Sequence, residues 1–300
     1  MEIGFEILHY QSTNDTIDCV NSILKYIDNP LIVIVDNASP NRSSLKLQQL
    51  YRNYPNITVI ISEKNLGFAK GNNIGYRYIR NNYKCKYICC INNDTRLIDY
   101  GFKEKLDMLY SRFNFGVFAP SVKLPDGSIQ SFNPQIHSLE YYEKEICYLT
   151  HANSLKEYHC SKGVIGKLFY YFPNIMRVIR IMKQKIRKPY PDYMLNVVLH
   201  GCFVVFSELY ISIFEDAFCP KTFMFREEEL LFLKTREAGL STLYSGNIEI
   251  FHNEDSATNY SYPDQERKYQ FMRENQIKST KILIEELRKK NNEEWVRENQ

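Results

Sequence analysis

Four strand-like runs separated by helical patterns constrain this chain more than any other feature. Residues 4–9, 31–35, 58–61 and 87–91 are each rich in Ile, Val, Tyr or Phe, and each stops abruptly in a polar turn. Between them, 17–26 carries apolar residues at helical spacing behind the candidate cap Asn14-Asp15. Likewise, 43–53 places Leu45, Leu47 and Leu50 behind Ser43-Ser44. The order β-α-β-α-β-α-β predicts an α/β fold with a mostly parallel central sheet, because parallel neighbours need a crossover element and the crossover is right-handed. Ligands of such sheets bind beyond the carboxyl ends of the strands.

A second α/β portion follows, with a strand over 197–206, an apolar turn over 214–225, a helix over 226–238 closed by Gly239, and a strand over 247–251. The first portion and this one are read together as one domain, 1–256, with a basic helical insertion at about 140–196; 257–300 forms a helical C-terminal extension. At 300 residues, with 44% hydrophobic and 24% charged residues, the chain is large enough and apolar enough to bury a core, which excludes disordered and collagen-like classes. A net charge of +3 is too slight for nucleic acid to be the main partner. The eight cysteines form no CxxC pair and are expected to be reduced, buried thiols. Met1-Glu2-Ile3-Gly4 opens without a basic region and apolar run, and no stretch approaches the ~20 apolar residues of a membrane span, so the expected location is the cytoplasm.

The polar turns hold the chemistry. Asp36-Asn37-Ala38-Ser39 puts a carboxylate directly after a buried strand, where it can accept from a nucleobase N–H or ribose hydroxyl, or simply form an Asx turn. Gly67, Gly71 and Gly75 recur at intervals of four, which matches neither a dinucleotide fingerprint nor a P-loop. On a helix that spacing lines one face, for close approach of a ligand or for packing on the sheet. Asn92-Asn93-Asp94 delivers a carboxylate to the sheet edge, where a hard divalent cation takes carboxylate plus diphosphate oxygens; a plain strand-ending turn is the alternative. Glu227-Glu228-Glu229 opens a helix, whose dipole favours negative charge there. Helical geometry lets one or two of the three face a single site, and like-charge crowding raises the pKa of an inward base. His252 ends a strand as a candidate ligand or a capped surface histidine, while His200-Gly201 reads as structural.

Taken in order, Asp36-Asn37-Ala38-Ser39, Asn65-Leu66-Gly67-Phe68-Ala69 with Gly71-Asn72-Asn73, Asn92-Asn93-Asp94, Glu227-Glu228 and His252 resemble the family 2 glycosyltransferases, particularly the rhamnosyltransferase-like branch. The resemblance implies a GT-A fold, a UDP- or dTDP-linked sugar donor, and inversion at the anomeric carbon. It implies that Asp36 contacts the pyrimidine, that Asp94 holds Mg2+ or Mn2+ with His252 nearby, and that Glu228 is the base, with Glu227 as the competing candidate. Tyr10, Asn37, Asn65, Gly67, Lys70, Gly71, Asn72, Asn92 and Asn93 complete the implied donor-binding set. Three departures stand out: Asn-Asn-Asp keeps only the last carboxylate of the metal motif, Glu-Glu replaces the commoner Glu-Asp, and Tyr10-Gln11 stands where Tyr-Asn is frequent.

The implied acceptor is a hydroxyl of a glycan or lipid-linked molecule in surface polysaccharide synthesis. No acidic residue occurs between Tyr158 and Pro191, while Lys162, Lys167, Arg177, Arg180, Lys183, Lys185, Arg187 and Lys188 accumulate among aromatic and aliphatic residues. That stretch fits peripheral contact with anionic lipid at the inner face of the membrane, or an ordinary solvated helix pair. Two other functions stay open: a sugar nucleotidyltransferase, disfavoured because no glycine follows the first strand, and a catalytically silent nucleotide-sugar-binding module.

Overall fold

The computed structural model describes residues 2–130, 132–161, 163–171, 191–253 and 264–290. The opening alternation is β1 (Ile3–His9), α1 (Thr13–Tyr26), β2 (Leu31–Asp36), α2 (Ser43–Tyr51), β3 (Ile57–Ile61), α3 (Gly67–Asn82) and β4 (Tyr87–Asn92). Every residue of β2 is buried, as expected for a parallel strand covered on both faces. Its side chains alternate: Ile32 and Ile34 join Phe5, Val20, Ile23 and Phe102 on one face, and Val33 and Val35 join Ala69, Tyr76 and Ile79 on the other.

There follow β5 (Thr95–Leu97), β6 (Val117–Lys123), the short strands β7 (Ile129–Gln130), β8 (Phe132–Asn133), β9 (Tyr193–Leu195) and β10 (Val198–Leu199), then β11 (Phe203–Ser207) and β12 (Thr242–His252). The main sheet runs β3-β2-β1-β4-β11-β6-β12-β5. The expected parallel arrangement holds over β3-β2-β1-β4. Beyond β4 the sheet is mixed. β11 (Phe203–Ser207) is antiparallel to β4 and β6 (Val117–Lys123), whereas β12 (Thr242–His252) is parallel to β6 and antiparallel to β5 (Thr95–Leu97). The predicted strand over 197–206 is two strands: Val198–Leu199 pairs with Phe132–Asn133, and β11 begins only after a turn at 200–202. The chain therefore enters β11 from the edge where β4 ends, with Phe203 opposite Ile91 and Ser207 opposite Tyr87. This reversal places His200, Gly201 and Cys202 at the carboxyl edge of the parallel strands.

The helix α4 (Phe102–Phe113) precedes β6, and α5 (Leu139–His151), α6 (Leu155–Ser161), α7 (Gly163–Tyr171), α8 (Glu208–Ile213), α9 (Glu227–Glu237) and α10 (Gln265–Lys289) follow it in the chain. Tyr142 of α5, Leu230 and Leu233 of α9, and Leu283 and Leu287 of α10 form a separate buried cluster, which seats the C-terminal helix against the helix that carries the three glutamates. Burying each such side chain stabilises by roughly 1.5–3 kcal/mol.

Five cysteines (19, 85, 89, 90 and 202) are buried, all eight are free thiols, and the expectation of burial fails for Cys147, which is exposed on α5, and for the partly exposed Cys160 and Cys219. Inside β1, Glu6 is 0% exposed and its carboxyl oxygens bond to no N–H or O–H. It lies opposite Cys90 and beneath Gly75, where a Cβ would come within 2.2 Å of Glu6 Cγ. Burial pushes its pKa well above the ordinary 4.5. No described helix is long and apolar enough to cross a membrane. Most of the basic stretch, including Lys162, Arg177, Arg180, Lys183, Lys185, Arg187 and Lys188, lies outside the described residues.

Candidate functional site

The polar turns singled out in the sequence meet along one sheet edge. Asp36 ends β2 directly across from His9 of β1. Its Oδ1 accepts the Ser39 N–H at 3.1 Å and the Ser39 hydroxyl, which is the Asx turn; Ser39 Oγ in turn accepts the Gln11 N–H at 2.8 Å. Asn37 spends its amide on the next turn, accepting from Leu66 N–H at 2.8 Å and donating to Asn65 Oδ1 and Gly67 O, both at 3.1 Å. Tyr10 is half-buried beside this loop and Lys70 is exposed.

The glycines of α3 have packing duties. Gly67 has φ +77, and a Cβ there would stand 2.1 Å from Phe223 O, the atom that accepts the Phe68 N–H at 2.7 Å. A Cβ at Gly71 would meet Leu8 Cδ1 at 2.6 Å. Asn72 bonds back to Phe68 O at 2.8 Å, and Asn73 holds both backbone groups of Phe218 at 2.9 Å. Between the ligand and packing readings of the four-residue spacing, these contacts account for it by packing.

At the end of β4, Asn92 N–H donates to Cys202 O at 2.9 Å, and Asn93 donates to Ser12 O at 3.3 Å and Thr16 Oγ1 at 3.1 Å. Thr16 Oγ1 also meets His9 Nδ1 at 2.6 Å, while His9 Nε2 meets Ser43 Oγ at 2.7 Å. With both nitrogens engaged and burial holding its pKa near 4, His9 is a neutral structural imidazole.

Antiparallel pairing of β12 with β5 sets His252 opposite Thr95, and Asn253 N–H closes the corner on Asp94 O at 2.9 Å. His252 Nε2 consequently lies 3.2 Å from Asp94 Oδ1, close enough to attract but not aligned for a hydrogen bond. Asp94 Oδ1 and His252 Nδ1 are buried and have no hydrogen-bond partner. A carboxylate oxygen and an imidazole left in that state fit a divalent cation. Among the described residues no third His, Cys, Asp or Glu joins them, so the remaining positions of a cation there would fall to ligand oxygens and water.

On the other side of the 200–202 turn, Glu228 Oε1 accepts the Gly201 N–H at 2.5 Å. Glu228 is partly accessible yet enclosed by protein. Burial first, and the Glu229 carboxylate second, raise its pKa to about 8, against the opposing Gly201 N–H. Glu227 is 5% exposed with Oε1 unpartnered, and burial raises it to about 7. The helix that carries them begins with two non-glycine residues in the left-handed region, Phe225 (φ 75) and Arg226 (φ 68), a conformation that costs roughly 1 kcal/mol or more per residue. Ser279 Oγ donates to Met224 O at 2.7 Å, and Arg226 donates to Thr280 Oγ1 at 3.0 Å, to Glu229 at 2.8 Å and to Glu145, which Gln276 also reaches at 3.1 Å. These bonds from α5 and α10 hold the turn and so aim Glu228.

His200 belongs to this site although the sequence reads it as structural. Its ring stands edge-on to His252 with centroids 5.9 Å apart, and Nδ1 accepts the Cys202 N–H at 3.3 Å. Burial, then the neighbouring His252, lowers its pKa to about 4, so the ring is neutral. The interruption of an apolar run by His200-Gly201 is the signal that could have found it.

A family model described as Glycosyl transferase family 2 matches residues 7–200. No curated protein matches the chain. The crystal structure of S. aureus TarS is similar in fold, with TM-score 0.50 and 13% identity over 87% of this chain and 38% of that one. The crystal structure of S. aureus TarS 1-349 gives TM-score 0.49 and 12% identity over 84% of this chain and 60% of that one. The chain thus spans less than two thirds of either.

Proposed function

The chain belongs to glycosyl transferase family 2 and has a GT-A α/β fold, and from that premise we propose an inverting, metal-dependent glycosyltransferase that moves a sugar from a UDP- or dTDP-linked donor to a hydroxyl of a glycan or lipid-linked acceptor in surface polysaccharide synthesis. One observation carries this reading: Glu228, with its raised pKa, and the Asp94–His252 pair flank a single turn, 200–202, at the ligand-binding edge of the sheet.

Glu228 takes the proton of the acceptor hydroxyl. The acceptor oxygen then forms a bond to the anomeric carbon in line with the bond to the donor's diphosphate, which breaks and leaves its electron pair on the diphosphate. A pKa near 8 suits a base that must bind an alcohol's proton and still be partly ionised at neutral pH. Glu228 rather than Glu227 is assigned the role because its carboxylate reaches the 200–202 turn. Asp94 and His252 are the residues that would hold Mg2+ or Mn2+, which when bound neutralises charge developing on the leaving diphosphate. Sharing the cation with the diphosphate suits a motif with one carboxylate. On the pyrimidine side we assign Asp36, with Tyr10, Asn37, Asn65, Lys70, Asn72, Asn92 and Asn93 shaping the donor pocket and Gly67 and Gly71 setting its wall through the close packing of α3.

Glu228→Gln should reduce transfer by at least about 100-fold while nucleotide affinity stays within twofold, since a lost general base costs 10²–10⁴. Near-normal turnover in that variant would remove the assignment. Peripheral contact with anionic lipid at the cytoplasmic face is supported by α7, which exposes Val164 and Leu168 beside Lys167 next to the basic stretch. Equal flotation with neutral and anionic vesicles would rule out this electrostatic contact.

A further inference from the structure

His200 differs from the structural histidine of this same fold. His9 engages both ring nitrogens with hydroxyls, whereas His200 engages one. Because Nδ1 accepts the Cys202 N–H, the neutral ring carries its proton on Nε2, and no group among the described residues bonds to that nitrogen. A protonated Nε2 has no lone pair for a cation and can only donate. The ring is partly accessible, faces His252 at 5.9 Å, and feels the charge of Asp94. Its chain neighbour Gly201 holds Glu228, the base for the hydroxyl that attacks the anomeric carbon. The donor group adjacent to both the cation pair and that carbon is the phosphate bonded to the sugar.

We propose that His200 is a donor-binding residue whose Nε2–H hydrogen-bonds an oxygen of the β-phosphate, the phosphate that departs with the nucleotide. The inference rests on the glycosyltransferase reading and adds a residue to its site. It also gives the antiparallel entry into β11 a purpose, because only that direction brings residue 200 to the edge beside Asn92 and Asp94.

The test is calorimetry with Mn2+ and either UDP or dTDP, whichever the wild type binds, alongside the matching monophosphate. His200→Phe keeps an aromatic ring but has no donor, and should weaken the diphosphate about tenfold or more, as loss of a hydrogen bond to a charged acceptor does, while the monophosphate changes less than twofold. His200→Gln, whose amide N–H reaches a similar position, should recover most of the loss. Ligand-free melting curves of both variants monitor folding. Unchanged diphosphate affinity in His200→Phe would overturn the inference, as would equal loss for monophosphate and diphosphate, which marks a packing role. A wild type that binds neither diphosphate overturns the proposed function itself, and this inference with it.

Discussion

Glu6→Gln should flatten the dependence of stability on pH. In the unfolded chain Glu6 titrates at its ordinary 4.5, and in the fold burial holds its pKa well above that. Between the two values the folded state keeps a proton that the unfolded state has released, so stability is highest below 4.5 and falls as pH rises toward the folded pKa. The slope is about 1.4 kcal/mol per pH unit for one proton that the folded state keeps and the unfolded state has released. While the folded state keeps this proton, the wild type loses stability relative to the variant with every step of rising pH. Gln occupies the same volume beneath Gly75 and has no proton to release. Its own buried amide adds a cost that does not change with pH. Urea unfolding of both proteins at pH 5, 6 and 7 gives the difference profile, in which the shared contributions of Glu227 and Glu228 cancel. The variant should gain on the wild type steadily with pH. Parallel profiles would refute the argument, since they would mean that Glu6 ionises as easily inside the sheet as outside it.

Transfer by the wild-type protein should rise up to tenfold per pH unit and level off near 8, the value to which burial and Glu229 lift Glu228; a profile already flat from pH 6 would exclude a base in that environment. Arg226→Met should lower stability by about 3 kcal/mol in denaturant unfolding, because it leaves the buried Glu229 and the part-buried Glu145 without their shared cation; a loss below ~1 kcal/mol would show the pair to be solvated.

The legible part of this fold is the part coded locally. Strands β2 to β4 each end in a turn carrying Asp, Asn or Gly, β1 ends in the polar Gln11-Ser12 turn, and their period and punctuation can be read one segment at a time. Pairing beyond β4 cannot, because nothing within 203–207 says that the strand runs against β4 rather than along it. The same gap hides His200: a His-Gly step at the start of an apolar run looks structural until the sheet brings β4 and β12 around it. Asp94 and His252 are legible as candidates because each follows or ends a strand, yet their 3.2 Å approach depends on the β12–β5 pairing. The glycine spacing of α3 was visible, and only the contacts of Gly67 and Gly71 with Phe223 and Leu8 decide what it is for. Glu6 gives no signal of its own, because it sits in an apolar strand whose other residues explain the pattern.

The brace behind the left-handed turn at Phe225–Arg226 has an evolutionary consequence. Gln276, Ser279 and Thr280 of the C-terminal helix touch that turn or its partner Glu145, and Leu283 and Leu287 share a buried cluster with Leu230 and Leu233 of the helix that follows the turn. Those positions share the fate of Glu228 despite standing far from it in the chain, while the outward side of the same helix is free to drift. Substitution rates along α10 should therefore oscillate with the helical period, slow on the inward stripe and fast on the outward one.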